Sequence, residues 1–183
     1  MERSTGPLWG EMGDGKQMKK VLITGGLGHI GSHLIRRMPK TYDITIVDDM
    51  STQRYCSLFN VEREFRFWER DISSLTSADL NGFDAIVHLA AKTNAAQSID
   101  SKEKTFEINV QKTLKFIDVI AESDVGLFVF PSSSSVYGKG QEVMYEHDDN
   151  VSPQSPYANS KIIVEDYLKD SLVNHVIFRF GTI

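Results

Sequence analysis

Short apolar segments alternate with segments of helical periodicity along most of the chain. Apolar, β-branched runs predict six strands, at residues 20–24, 43–47, 65–69, 85–89, 126–130 and 175–180. Apolar residues at helical spacing predict helices over 27–38, 102–122 and 156–172. Neither pattern holds over 50–64, which predicts a loop with room for a short helix, or over 138–156, which predicts a long loop. This alternation is typical of an α/β fold with a parallel sheet.

A glycine cluster separates the first predicted strand from the first predicted helix. It fits the pattern G-x-G-x-x-G at Gly26, Gly28 and Gly31. It also fits the variant T-G-x-x-G-x-x-G, whose specified positions are Thr24, Gly25, Gly28 and Gly31. Glycine at these positions permits a tight turn, lets the backbone approach a pyrophosphate and allows close packing of helix on strand. The free N–H groups at the start of the helix then hold the phosphate charge. Glycine turns are common, so a purely structural turn is the alternative.

An acidic residue, Asp48, ends the second predicted strand. It lies roughly 20 residues after the glycine turn, where a carboxylate can bind both hydroxyls of an adenine ribose. The same charge repels a 2′-phosphate, which favours NAD over NADP. A solvated acidic turn is the alternative interpretation of Asp48.

The glycine turn and the acidic strand end together define the expected sheet. They fit an α/β, doubly wound parallel sheet (Rossmann fold) with the strand order 3-2-1-4-5-6. The strand at 85–89 is apolar except for His88, as expected of a parallel strand that is covered on both faces. We therefore expect His88 to be a packed, hydrogen-bonded histidine and not a catalyst.

A candidate catalytic pair lies on the last predicted helix. Tyr157 and Lys161 are four residues apart and share a helix face. A nearby ammonium lowers the pKa of a phenol from its usual value of about 10, and the tyrosine can then exchange a proton with a substrate hydroxyl. Such a spacing also arises in exposed surface pairs. Strand ends converge on one crevice in this fold, so we expect Tyr157 to meet the serines after the 126–130 strand, Ser133 in particular.

Bulk composition narrows the functional classes. The chain has 183 residues with a net charge of −5, so a nucleic-acid-binding surface is not indicated. No stretch approaches the roughly 18 apolar residues of a membrane span. The single cysteine, Cys56, excludes an internal disulfide and favours a reducing, cytoplasmic location. Residues 1–17 lack the apolar core of a signal peptide and are expected to be a flexible leader before a folded unit that begins at Met18.

Taken together, these motifs resemble the extended branch of the short-chain dehydrogenase/reductase superfamily, the NAD-dependent sugar-nucleotide epimerases and dehydratases. UDP-glucose 4-epimerase is the best-known type of this family. The matching blocks run in order as TGGLGHIG (24–31), VDD (47–49), DI (71–72), HLAA (88–91), NV (109–110), SSSSVYG (132–138), PQSPYANSK (153–161) and FRF (178–180). The serine–VYG block and the SPYxxSK block are specific to the extended branch.

The resemblance implies a site for NAD and a catalytic set. The implied cofactor-binding residues are Gly25, Gly28, His29, Ile30, Gly31, Asp48, Asp71, Ile72, Ala90, Ala91, Lys92, Asn109, Tyr157 and Lys161. Ser133 would hydrogen-bond the reacting hydroxyl, and Tyr157 would be the acid/base. Lys161 would hold the nicotinamide ribose and lower the pKa of the tyrosine. The implied reaction is transient oxidation of a nucleotide sugar to a keto-sugar, followed by epimerisation or loss of water.

The resemblance also implies a larger architecture than this sequence contains. Family members continue into a smaller C-terminal domain that grips the sugar nucleotide, whereas this sequence ends just after the sixth strand. We therefore expect an NAD-binding domain over 18–183 that lacks this second domain and exposes an apolar patch. The expected partners are a nucleotide sugar and a second copy, joined through the helices near 102–122 and 157–172. A non-catalytic NAD-binding module and a reductase of another carbonyl substrate are the alternatives.

Overall fold

A computed structural model describes residues 18–93, 97–138, 145 and 151–181, with only the backbone of Gln97. The expected leader at 1–17 and most of the expected loop at 138–156 lie outside the described residues. Within the described ranges, no helix is long and apolar enough to cross a membrane.

Six parallel strands form one sheet in the order β3-β2-β1-β4-β5-β6, as predicted. The strands are β1 (Lys19–Thr24), β2 (Tyr42–Asp48), β3 (Arg66–Glu69), β4 (Ala85–His88), β5 (Leu127–Ser133) and β6 (His175–Phe180). The predicted fold class is therefore confirmed. Both cofactor-binding halves of a doubly wound sheet have their carboxyl ends at the same edge, which is where the site is expected.

The fifth strand is longer than its apolar run. The sequence predicts an end at residue 130, but Pro131, Ser132 and Ser133 continue β5. The three residues pair with β6, and Ser132 lies opposite Arg179 in the ladder. A 3-10 turn (Ser134–Tyr137) follows, so the polar turn begins one residue after Ser133.

Helices cover both faces of the sheet. They are α1 (His29–Arg37), α2 (Ser77–Leu80), α3 (Gln97–Asp100), α4 (Lys102–Phe106), α5 (Thr113–Ala121) and α6 (Pro156–Asp170). Two further 3-10 turns lie at Tyr55–Leu58 and Ile72–Ser74, the first of them inside the poorly patterned segment. The sequence did not predict α2 and α3, because four residues are too few to show a helical period.

The helix predicted over 102–122 is interrupted by a wider turn. Residues Glu107–Lys112 adopt π-helical hydrogen bonding between α4 and α5. Such π turns often occur at functional sites. Here the turn contains Asn109, which is 3% exposed and directed into the protein.

Alternate strand residues enter two cores on opposite faces of the sheet. Leu22 belongs to the core beneath α5 and α6, whereas Val21 and Ile23 belong to the core beneath α1. On the side of β6 that faces away from α6, Val176 and Phe178 are 40% and 47% exposed. The expected apolar patch is therefore present on this face.

Candidate cofactor and active site

The turn between β1 and α1 requires glycine for steric reasons. Gly25 has a φ of +66°, and a Cβ atom added to it would lie 2.6 Å from the amide nitrogen of Ala90. A Cβ on Gly31 would lie 2.7 Å from the Cα of Gly26. The turn is therefore packed against the chain that follows β4, and α1 lies close to β1.

The N-terminus of α1 is open to an anion. Gly28 is the N-cap residue and provides no side-chain hydrogen bond to the helix. His29, Ile30 and Gly31 form the first turn, where backbone N–H groups have no partner within the helix and the helix dipole is positive. The tight glycine turn and these N–H groups fit a pyrophosphate.

Asp48 lies at the end of β2, next to this turn. Its carboxylate is 8% exposed and accepts hydrogen bonds from the backbone N–H of Leu27 at 3.3 Å and of Met50 at 3.0 Å. Burial raises the pKa of Asp48, and the two hydrogen bonds oppose that rise. The carboxylate is thus fixed beside the glycine turn, where it could accept hydrogen bonds from ribose hydroxyls.

Asp71 and Ile72 follow β3 and have different environments. The carboxylate of Asp71 accepts a hydrogen bond from the N–H of Ser73 at 2.8 Å and forms an ion pair with Lys112. Burial acts to raise the pKa of Asp71, but the Lys112 and Ser73 contacts outweigh it, so the pKa lies below its usual value. Ile72 is buried in the larger core.

The segment after β4, which contains Ala90, Ala91 and Lys92, is fixed by two side chains. The Ala90 N–H donates to Oγ1 of Thr24 at 3.3 Å. Asn109 accepts from the N–H of Lys92 at 2.7 Å and donates to its carbonyl oxygen at 2.9 Å. The π turn therefore places Asn109 so that its amide holds this segment on both sides.

Asn109 also connects to the helix that carries Tyr157. Its Nδ2 atom donates to Oγ of Ser160 at 3.3 Å, and the Ser160 hydroxyl donates to the Tyr157 carbonyl oxygen at 2.6 Å. The start of this helix is capped by Ser155, whose Oγ accepts from the N–H of Ala158 at 3.1 Å. These contacts fix the first turn of α6.

Ser133 and Tyr157 meet at the carboxyl end of the sheet, as the sequence predicts. The Ser133 side chain lies close enough to the Tyr157 phenol to affect its pKa. It also accepts a hydrogen bond from the Ser135 hydroxyl at 2.8 Å. Burial raises the pKa of Tyr157, and the Ser133 side chain opposes this effect.

Lys161 is buried beneath this pair. Its side chain is 5% exposed, and Nζ donates to the Pro131 carbonyl oxygen at 2.8 Å. Nζ lies 4.6 Å from the ring centre of Phe130 and 5.8 Å from that of Tyr157. Burial lowers the pKa of Lys161 to about 8, while the negative charge of Glu165 acts in the opposite direction.

The lowering of the Tyr157 pKa by Lys161 stays a prediction, because burial and Ser133 are the causes of the pKa shift in this structure. The pKa of Tyr157 is raised, because burial of the phenol is the largest effect on it. The Lys161 ammonium donates its hydrogen bond to the Pro131 carbonyl oxygen of β5, and Nζ lies closer to the ring centre of Phe130 than to that of Tyr157. Spacing on a helix places two residues on one face but does not fix where a long side chain ends.

His88 is a packed histidine, as predicted. It is 2% exposed, and its ring nitrogens lie 2.8 Å from Oγ1 of Thr24 and 3.2 Å from Oγ1 of Thr113. Burial, and secondarily the positive charge of Lys161, lower the pKa of His88 to about 3. The ring is therefore neutral at physiological pH.

Sequence reasoning missed a buried ionic cluster beside these residues. Glu165, on α6, is 1% exposed and pairs with Arg179 of β6 at 2.6 Å. It also accepts a hydrogen bond from the Ser132 hydroxyl. The available signals were a glutamate four residues after Lys161 on one helix and an arginine inside an apolar strand.

The fold and the site together define a dinucleotide-binding protein of the doubly wound class. A family model described as the NAD dependent epimerase/dehydratase family matches residues 21–180. The chain belongs to this family, and the predicted family and its NAD cofactor are confirmed at that level.

Individual relatives agree with this assignment. A putative UDP-glucose 4-epimerase of Methanocaldococcus jannaschii is 29% identical over 154 residues, covering 81% of this chain and 50% of that protein. The UDP-glucose 4-epimerase of Neisseria meningitidis serogroup C is 31% identical over 163 residues, covering 84% of this chain and 48% of that protein. The chain thus spans about half the length of these relatives.

A solved structure supports the same assignment. The UDP-glucuronic acid 4-epimerase of Bacillus cereus, in complex with UDP-glucuronic acid and NAD, has a TM-score of 0.79 and 27% identity. The match covers 87% of this chain and 55% of that one.

Proposed function

We propose that residues 18–183 are the cofactor-binding and catalytic part of an NAD-dependent sugar-nucleotide epimerase or dehydratase. The observation that carries this proposal is the meeting of Ser133, Tyr157 and Lys161 at the sheet edge that also holds the glycine turn. The relatives described above are nucleotide-sugar epimerases, which supports a nucleotide sugar as the substrate.

In this proposal the open end of α1 binds the cofactor pyrophosphate, and Asp48 binds the adenine ribose. Asp71 and Ile72 flank the adenine, and the segment held by Asn109 lies along the cofactor. The positive end of α1 and the fixed carboxylate of Asp48 support these assignments on charge alone. NAD, when bound, supplies reversible hydride transfer.

The proposed acid/base is Tyr157. It removes the proton of a sugar hydroxyl as the hydroxyl carbon is oxidised, and returns it when the keto group is reduced. Ser133 hydrogen-bonds the reacting oxygen, and Lys161 holds the nicotinamide ribose. Because burial raises the pKa of Tyr157, the phenolate requires both the Ser133 side chain and nearby positive charge.

A second candidate function is binding of NAD without turnover. It is favoured by the raised pKa of Tyr157, because burial disfavours the phenolate that would remove a substrate proton.

For either function we propose a homodimer formed through the helices that carry Phe106 and Tyr167, whose side chains are 45% and 37% exposed.

Calorimetric titration with NAD and an assay of UDP-sugar turnover test these proposals. We expect NAD to bind, and we expect Tyr157→Phe to abolish turnover without weakening NAD binding more than about tenfold. Tyr167→Phe is the matched control, because Tyr167 lies on the same helix and its hydroxyl contacts Asp118 at the surface. Binding without turnover would support the second candidate, and a folded chain that fails to bind NAD would exclude both.

A further inference from the structure

Glu165 is a buried carboxylate to which the proposed function assigns no role. It lies one helical turn after Lys161, on the stripe of α6 that also carries Tyr157. Its side chain is about as buried as any in the core, at 1% exposure. A carboxylate in such a position is retained only when partners satisfy it.

Both oxygens of Glu165 are satisfied by the ends of two strands. Oε1 accepts a hydrogen bond from the Ser132 hydroxyl, and Oε2 accepts one from Nη2 of Arg179 at 2.6 Å. Nε of Arg179 lies 3.2 Å from Oε1 and 3.1 Å from Oε2. Because Ser132 and Arg179 are opposite each other in the β5–β6 ladder, one carboxylate joins α6 to both strands.

This cluster is continuous with the proposed catalytic residues. Ser132 lies between Pro131, whose carbonyl oxygen accepts a hydrogen bond from the Lys161 ammonium, and Ser133, whose side chain acts on the pKa of Tyr157. A displacement of Ser132 would therefore move both contacts at once. Arg179 in turn lies with its guanidinium 4.8 Å from the ring centre of Tyr137, in the turn after β5.

We propose that Glu165 is a positioning residue for the Tyr157–Lys161 pair. It fixes the end of β5 through Ser132 and Arg179, and its negative charge holds the buried Lys161 in the ammonium form. The inference rests on the proposed function, in which the lysine must be positively charged. Without Glu165, the buried Lys161 would face neutral groups of β5 and the positive charge of Arg179, and among the described residues no carboxylate would oppose the effect of burial on it.

The charged and titratable groups around Lys161 set the direction of this effect. They are Tyr157 and Glu165 on α6, His88 on β4 and Arg179 on β6. His88 is neutral near pH 7, because its pKa is lowered to about 3. Glu165 is therefore the source of negative charge among them at neutral pH, and its charge counters the effect of burial on the pKa of Lys161.

The direct test is titration of the Lys161 side chain by NMR in protein labelled with ¹³C at lysine Cε, without cofactor. The Lys161 signal is assigned by its loss in Lys161→Met. In Glu165→Gln we expect the acid dissociation constant of Lys161 to rise about tenfold or more. Glu165→Asp keeps the charge and should leave the constant within about threefold of wild type, as should Glu122→Gln, which changes an exposed glutamate.

If Glu165→Gln does not fold, the double variant Glu165→Gln/Arg179→Gln takes its place in both measurements. That variant leaves neither partner as a lone buried charge, and a smaller rise is expected in it, because the positive charge of Arg179 is removed together with the carboxylate. Faster amide hydrogen exchange at Ser132 and Ser133 is expected in either variant, because the end of β5 loses its anchor. An unchanged Lys161 titration would overturn the electrostatic role, and unchanged exchange would overturn the anchoring role. Since neither measurement uses NAD or substrate, both outcomes are independent of whether the chain turns over.

Discussion

The Lys161 ammonium donates a hydrogen bond to the Pro131 carbonyl oxygen at 2.8 Å. Pro131 is one of the three residues by which β5 exceeds its apolar run. The strand extension thus provides the hydrogen-bond acceptor for the buried lysine of the proposed catalytic set. A shorter strand would leave this ammonium without that partner.

Burial of Lys161 makes stability depend on pH in the alkaline range. The pKa of Lys161 is lowered to about 8 in the folded protein, against a usual value of 10.5. The folded state therefore releases this proton first, so the contribution of Lys161 to stability rises with pH between about 8 and 10.5. We expect the stability of wild type relative to Lys161→Met to increase by about 2 kcal/mol from pH 8 to pH 10.

Urea denaturation of both proteins at the two pH values measures this difference. Other groups that titrate in this range, Tyr157 among them, are present in both proteins. A constant difference in the free energy of unfolding would show that Lys161 does not change its protonation on unfolding.

His88 should make the protein sensitive to mild acid. Its folded pKa of about 3 lies below the usual 6.5, so unfolding takes up a proton between these values. As the pH falls below 6.5, His88 therefore lowers the free energy of unfolding by about 1 kcal/mol per pH unit. We expect His88→Gln, measured by urea denaturation from pH 6 to pH 4.5, to have a shallower pH dependence than wild type even if it is less stable at pH 7. Parallel pH profiles would mean that His88 is not neutral in the folded protein.

Asp48 and its neighbour Asp49 offer a matched pair for the cofactor site. Asp48 is buried beside the glycine turn, whereas Asp49 is exposed and accepts a hydrogen bond from the N–H of Ser51 at 3.0 Å. Asp48→Asn keeps the shape of the side chain but removes the negative charge of the carboxylate, which in the proposed site accepts hydrogen bonds from the ribose hydroxyls. We expect it to weaken NAD binding about tenfold or more in calorimetry, with Asp49→Asn close to wild type. Equal effects of both substitutions would argue for a general charge effect.

The exposed apolar face of β6 should promote self-association. Phe178 is 47% exposed and its ring stacks on that of Phe180 with centroids 5.7 Å apart. An apolar surface of this kind favours association in water. We expect light scattering to show mass rising with concentration, and Phe178→Lys to reduce that rise. A wild-type chain that stays monomeric at high concentration would contradict this expectation.

Local sequence patterns predicted the strands of the sheet and which residues lie near the candidate site. They did not predict the side-chain contacts within that site. The apolar runs predicted the six strands. The glycine turn and the spacing to Asp48 predicted that Gly25 and Asp48 lie at the carboxyl edge of the sheet. The end of β5 was not predictable, because Pro131 to Ser133 are held in the strand by pairing with β6 and not by their own hydrophobicity. The direction of Lys161 and the burial of Glu165 likewise depend on neighbours that are distant in sequence.

The π turn at Glu107–Lys112 makes the position of Asn109 depend on the number of residues in this turn. A π turn contains about one residue more than an α turn of similar rise, so α4 and α5 are rotated out of phase with each other. Loss of a single residue from this turn would restore a regular helix and rotate Asn109 away from Lys92. The segment after β4 and the first turn of α6 would then lose their common attachment, although neither would have changed in sequence. The length of this one turn is therefore under tighter constraint than the identity of most residues in it.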